Sequence, residues 1–262
     1  MKIACLMGTY GRYTLASQAL ASFLQQTALD EATLLIFNQH PQPLAFDHPR
    51  VTVVNEMMPR SGVRKIRLRM MELCDQSAEF IHWWDDDDLY LPWHLEDCLE
   101  HIGDSPGWKP RKSWTLSATG YKLSYNNFEG SVMYRADALR AAPVDTHPGY
   151  SDHPIFQQLV QSGRLAMTDL GDLASYLYRW DTGVAHRSFK TLKTAEEYDA
   201  HMDEFRTTQN DPGPPGGVMI VPDLWPHWRA FLDGVKDKVS PAGFDELEAR
   251  LTIADSMSKL GA

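Results

Sequence analysis

The chain has 262 residues, 43% of them apolar and 23% charged, with 25 bases against 35 acids and a net charge of -10. This is enough chain to bury a core without disulfides or a structural metal, and the charge argues against a surface that grips nucleic-acid backbones throughout. From Met70 to Trp108 there is no Lys or Arg but eleven acids, while outside that segment 25 bases face 24 acids, so the acidity is largely local.

In chain order, Lys2–Met7 is a continuous apolar run, as expected of a strand buried on both faces, and Gly8–Gly11 ends it. Thr14–Gln26 sets Leu15, Ala19, Leu20, Phe23 and Leu24 at helical spacing, with Thr14 as the expected N-cap. Leu34–Phe37 and Val51–Val54 are further buried strands, and Ser61–Cys74 is a helix with Val63, Ile66, Met70 and Leu73 on one face. Phe80–Trp84 is a strand that runs into Asp85–Asp88, and Pro92 opens a short helix to Ile102. Trp114–Thr119, Lys122–Tyr125 and Val132–Tyr134 read as strands, Asp152–Ser162 and Thr194–Gln209 as helices. The run Asp211–Gly217 breaks the pattern, and helices follow at Leu224–Val235 and Phe244–Leu260.

Strands that alternate with helices predict an α/β fold: a Rossmann-like, mostly parallel sheet flanked by helices, with a helical C-terminal extension. Ligands of such sheets bind at the carboxyl ends of the strands. Three polar clusters fall there, Thr9–Arg12, Asn38–Gln39 and Asp85–Asp88, and are expected to meet in one crevice. Four consecutive aspartates repel one another unless a cation balances them, and carboxylate oxygens suit Mg2+ or Mn2+. In an extended segment only alternate side chains share a face, which would turn Asp85 and Asp87 the same way. The competing expectation is a solvated acidic turn whose Asp87 or Asp88 caps the next helix.

Asp85-Asp86-Asp87-Asp88-Leu89-Tyr90-Leu91-Pro92 resembles the DxDD-x-x-x-P signature of family-2 glycosyltransferases of the GT-A fold. Ala4–Arg12 resembles that family's opening strand and turn. Gly62–Arg67 resembles its Gly-x-x-x-Ala-Arg segment, Gly130–Arg135 its acceptor-side strand, and Ser151-Asp152 its Glu-Asp pair. The likeness runs in order from about residue 2 to about residue 190. It implies a GT-A catalytic unit over 1–190, with 1–110 on the nucleotide side and 111–190 on the acceptor side, and a helical extension over 191–262. The implied activity is inverting, metal-dependent transfer of a sugar from a nucleotide-sugar donor, a UDP-sugar above others, to an acceptor hydroxyl. Asp87 and Asp85 would bind Mn2+ or Mg2+, with His186 as a further ligand. Thr9, Tyr10, Arg12, Asn38, Arg67, Asp85 and Asp86 would line the donor site, and Asp152 would be the general base. The acceptor stays open among a glycan, a lipid-linked intermediate, a protein and a modified nucleobase.

The sequence departs from the family at several positions. Asn38-Gln39 stand where an Asp pair reads the base, Leu68 replaces an Asn, and Ser151 replaces a Glu. Tyr178-Arg179-Trp180 ends like the QxxRW of processive synthases, but Tyr176 holds the Gln position, and no run long enough to cross a bilayer accompanies it. Two rivals remain. A nucleotidyltransferase would need a Gly-rich phosphate loop, and Gly8–Arg12 has two glycines; a non-catalytic binding protein of the same fold is motivated by Asn38 and Ser151.

Arg60, Arg64, Lys65, Arg67 and Arg69 are a solvated helix face or a phosphate-facing one, with Arg67 expected to turn inward. Of His82, His94, His101, His147, His153, His186 and His201, only His186 has a motif reason to be a ligand, and His153 is a candidate to tune Asp152. Trp225, Trp228 and Phe231 are expected to pack a helix onto the rest of the chain, or else to form an acceptor platform. Cys5, Cys74 and Cys98 are odd in number and show no CxxC, so neither a disulfide framework nor a structural zinc is expected. With an opening apolar stretch too short for a signal peptide, a cytoplasmic protein is expected.

Overall fold

The computed structural model describes residues 1–57, 63–142, 154–179, 211 and 213–260. Strand β1 (Ile3–Thr9) is an inner strand of the seven-stranded main sheet. It pairs in parallel with β2 (Ala32–Asn38) on one side and β4 (Phe80–Trp83) on the other, and β3 (Val51–Asn55) extends the sheet beyond β2. On the far side of β4 come β9 (Met133–Arg135), β6 (Gly107–Pro110) and β10 (Ala166–Thr168), with β9 antiparallel to both its neighbours. A four-stranded sheet holds β5 (Leu89–Tyr90), β11 (Tyr176–Arg179), β7 (Lys112–Ser117) and β8 (Gly120–Tyr125) in that order.

Burial of both faces explains the unbroken apolar strands. Along β1, Ile3, Cys5 and Met7 enter one core while Ala4 and Leu6 enter the other. The first core is covered by α1 (Tyr13–Leu24) and α3 (His94–His101). The second is covered by α2 (Val63–Leu73), α4 (Ala136–Ala141) and α5 (Pro154–Gln161). A third core joins Leu89, Trp93, Trp114 and Leu177 to α6 (Trp225–Val235) and α7 (Pro241–Leu260). Trp228 and Phe231 are wholly buried there, Phe231 edge-on to Trp114 and Tyr121, so these two aromatics pack the helix and form no open platform.

Several local expectations give way. Thr14 is not the N-cap of α1: the helix begins after Arg12, and Asp211 Oδ2 accepts the Thr14 N–H at 2.5 Å. A carboxylate from 197 residues away thus does the work expected of the local hydroxyl. Strands β6, β10 and β11 carry too few alternating residues to be read from periodicity. The helix expected over 194–209 lies outside the described residues. Among the described residues no helix is long and apolar enough to cross a membrane.

Candidate functional site

The carboxyl ends of three strands set a row of polar residues, because Thr9, Asn38 and Asn55 are the last residues of β1, β2 and β3 and stand opposite one another in register. Asn38 is buried and its amide is engaged: Nδ2 donates to Asn55 Oδ1 and to the Gln42 carbonyl, each at 2.8 Å, and Oδ1 accepts the His40 N–H at 3.0 Å. Asn38 therefore shapes the loop over 39–44, and its N–H donors are spent inside it. Tyr10 meets the His40 ring edge-on at 5.3 Å beside that loop. Thr9, Arg12, Tyr13, Asn38, Gln42 and Asp211 line one cleft there, as the strand-end argument expects. Thr9 Oγ1 is buried and makes no hydrogen bond. From the C-terminal side Asp211 and Gly213 line the cleft, and nearby Ala45 pairs with Gly217 and Met219 through 2.8 Å backbone bonds.

The acidic segment follows β4 as a turn, with the Asp88 N–H donating to the Asp85 carbonyl at 3.4 Å. It is neither the extended segment expected nor a helix cap, since β5 intervenes before α3. Each carboxylate of the turn has its own surroundings. Asp86 is 2% exposed at its side chain and takes a two-point bond from Arg12, with Arg12 Nε at 3.1 Å from Oδ2 and Nη2 on Oδ1. Arg12 Nη1 also reaches Asp87 Oδ2 at 2.5 Å. Burial opposes the Arg12 charge, but Asp86 and Asp87 outweigh it and raise the guanidinium above its usual range.

Asp88 faces inward, accepting the Arg179 N–H at 3.0 Å and bonding the Tyr176 hydroxyl. Burial, then the charges of Asp87 and Asp85, push its carboxyl well above the ordinary range. Asp85 is the most open of the four, at 38% for its side chain, against 13% for Asp87. Its N–H donates to Tyr90 Oη at 2.9 Å, and its carboxylate rests against the Cα of Gly130, where any β-carbon would collide with Oδ2.

Arg67 turns inward as expected, over the Trp83 ring at 4.7 Å, with Nη2 3.9 Å from Asp85 Oδ1 and Nη1 2.6 Å from Glu129 Oε2. Glu129 is almost fully buried and also accepts from Tyr134 Oη at 2.9 Å. Sequence reasoning missed Glu129; its one signal was a position beside Gly130-Ser131 in the acceptor-side motif. Arg69 faces outward onto Glu56 and Glu72, so this part of the basic stretch is paired with acids. Asp152 and His186 lie outside the described residues.

Thr9, Arg12 and Asn38 line the cleft, and Arg12 ties it to Asp86 and Asp87 of a turn none of whose aspartates is among the lining residues, while Asp85 lies beside Arg67 and Gly130. Asp85 and Asp87 offer oxygen donors of the hard type that divalent cations take, and the absence of a side chain at Gly130 leaves room for the Asp85 carboxylate.

No family model matches the sequence, and no curated protein matches it either. Solved structures do. The S. aureus TarS fragment 1–349 in complex with UDP-GlcNAc is 13% identical over 100% of this chain and 92% of that one, with a TM-score of 0.57. A longer S. aureus TarS structure matches 98% of this chain at 13% identity and a TM-score of 0.53, and there the chain spans only 53% of its length. The mannosyltransferase PcManGT from Pyrobaculum calidifontis, in complex with GDP-Man and Mn2+, is 13% identical over 99% of this chain and 87% of that one, with a TM-score of 0.52. A seven-stranded, mostly parallel sheet flanked by helices, superimposing on these proteins along nearly its whole length, gives this chain the fold of GT-A-like glycosyltransferases.

Proposed function

We propose that the chain is a glycosyltransferase that moves a sugar from a nucleotide-sugar donor to an acceptor hydroxyl, with inversion, and releases the nucleoside diphosphate. The observation that carries this reading is the acidic turn Asp85–Asp88 at the end of a central strand, tied by Arg12 to a cleft lined by Thr9 and Asn38. Neighbours of the same fold whose structures hold UDP-GlcNAc, or GDP-Man with Mn2+, support it.

In this reading Asp87 and Asp85 would hold Mn2+ or Mg2+, with His186 as a further ligand. When bound, such an ion offsets the charge that develops on the departing diphosphate. Arg12 fixes the carboxylates of Asp86 and Asp87, and Arg67 fixes the side of the turn that carries Asp85. The cleft wall that includes Thr9 would face the ribose and phosphates, and the Tyr10–His40 pair beside it would flank the base. With the Asn38 donors spent, a base would be read by other groups of the same loop, so the preference for a UDP-sugar rests on the family likeness. Asp152 takes the proton of the attacking hydroxyl. Residues 1–190 would carry this chemistry, 1–110 on the donor side and 111–190 on the acceptor side; from the extension over 191–262, Asp211 and Gly213 wall the donor cleft. The acceptor is a glycan, a lipid-linked intermediate, a protein or a modified nucleobase bearing a hydroxyl. Three buried free thiols suit a cytoplasmic setting.

Calorimetry with UDP and GDP, with and without Mn2+, tests the reading. Metal-dependent binding of one of them is expected, lost in Asp87→Asn. Asp152→Asn should keep that binding and lower transfer by about 10²–10⁴-fold. Failure to bind any nucleoside diphosphate in the presence of metal would overturn it, and release of pyrophosphate would identify a nucleotidyltransferase instead.

A further inference from the structure

Away from the cleft, in the core beneath the main sheet, three potential ligand atoms meet. His82 from β4, His94 from α3 and Cys98 one turn further along α3 hold their ligand atoms within 4.8 Å of one another, and all three residues are fully buried. The Nε2 atoms of the two histidines are 2.9 Å apart, and Cys98 Sγ is 3.8 Å from His94 Nε2. His94 turns its other nitrogen, Nδ1, onto Ser175 Oγ at 3.0 Å, the kind of outer contact that orients a ligating imidazole. A tetrahedral zinc, with bonds of about 2.0–2.1 Å to nitrogen and about 2.3 Å to sulfur, sets its ligand atoms about 3.3–3.6 Å apart, so the imidazoles would part by about 0.4 Å and the sulfur would close by about 0.2 Å to take it.

A fourth residue is at hand. Cys5 on β1 stands opposite His82 in the parallel register and is wholly buried in the same core as Cys98. Paired residues of adjacent strands project from the same face, so Cys5 stands on the same side of the sheet as His82, and it is the other thiol of that core. Charge gives the reason to include it. A dication with two imidazoles and one thiolate leaves a net positive charge in an apolar core, whereas a second thiolate cancels it.

We propose that Cys5, His82, His94 and Cys98 form a buried four-ligand site for Zn2+, separate from the acidic turn. Its formation converts two thiols to thiolates and releases two protons as Zn2+ binds through two sulfurs and two Nε2 atoms. The site would clamp β1 and β4 to α3. It would thus hold both ends of the segment that contains the acidic turn, since His82 precedes Asp85 by three residues and His94 follows Asp88 by six.

The test uses the whole chain, produced in zinc-supplemented medium and dialysed against a chelator before elemental analysis. About one zinc per chain is expected. Cys98→Ser and Cys5→Ser should each lose it, and Cys74→Ser, whose Sγ contacts the Met71 carbonyl instead, should keep it. Refolding the unaltered chain with Co2+ adds a measurement that does not depend on the variants folding. Thiolate-to-cobalt charge-transfer absorption with tetrahedral ligand-field bands is expected. The acidic turn, which has only oxygen donors, cannot produce the charge-transfer band. A zinc-free protein whose cobalt form lacks that band would overturn the proposal and leave a hydrogen-bonded pair of neutral imidazoles. So would zinc that survives Cys98→Ser, and zinc unaffected by Cys5→Ser would overturn the four-ligand set.

Discussion

Gly130→Ala examines how tightly the acidic turn is built. A β-carbon on residue 130 would stand 2.9 Å from Tyr176 Oη and 3.2 Å from Asp85 Cγ, and closer still to Asp85 Oδ2. Tyr176 is buried and bonded to Asp88, so the partly exposed Asp85 carboxylate is the group with room to move, and it must retreat by about 1 Å to recover ordinary contact. Overpacking of this kind costs about 1–3 kcal/mol of stability, which a chain of this size survives. Displacing one oxygen donor by about 1 Å should weaken metal-dependent nucleotide binding by about 10–100-fold, or about 1.4–2.7 kcal/mol. The assay is calorimetric titration of UDP or GDP with Mn2+, beside a urea melt. Gly234→Ala is the control, because its β-carbon would meet Tyr121 Cε2 at 2.7 Å, in the core built around α6. It should shift the melt and spare the affinity. Equal affinity in Gly130→Ala and the unaltered chain, or equal losses in the two variants, would refute the reasoning.

Three further outcomes are expected. Glu129→Ala removes the buried carboxylate that accepts from Arg67 and Tyr134 and should cost about 3–5 kcal/mol in urea denaturation, with Glu129→Gln milder; a loss below about 1 kcal/mol would mean that the pair is not needed. Burial, opposed by a hydrogen bond from Ser175, pushes Asp97 up to about 6, so the folded chain keeps a proton that the unfolded chain has released, and the Asp97 contribution is lost as pH rises from about 4 to about 6. Asp97→Asn should remove this fall, worth at most about 3 kcal/mol in the difference between the two stability curves; coincident curves would contradict it. Asp211→Ala should cost about 1 kcal/mol through the start of α1, while Thr14→Ala at the exposed neighbouring position should change stability by less than about 0.5 kcal/mol in the same melts.

What the sequence determined by itself is what local patterning records. Apolar runs in Ile3–Thr9 and Phe80–Trp83 announce strands covered on both faces, and the order of strands and helices announces the α/β sheet. Polar residues at strand ends announce the cleft, because a parallel sheet brings its carboxyl ends to one edge. Arg67 could be turned inward from its position on the Ile66 side of a helix. Short strands such as β10, with three residues, lie below what periodicity resolves. Partner choice was decided only in three dimensions. Arg12 meets aspartates 74 and 75 residues away, Asp211 bonds a helix start 197 residues away, and His82 finds His94 and Cys98 across a strand–helix contact. Asn38 was legible as a site residue, yet only its bonds to Asn55 and Gln42 make it a builder of the loop. Burial leaves a periodic trace along the chain, whereas a charge or a ligand atom is paired by whatever the packed core brings beside it, and that neighbour leaves no mark at a fixed sequence spacing.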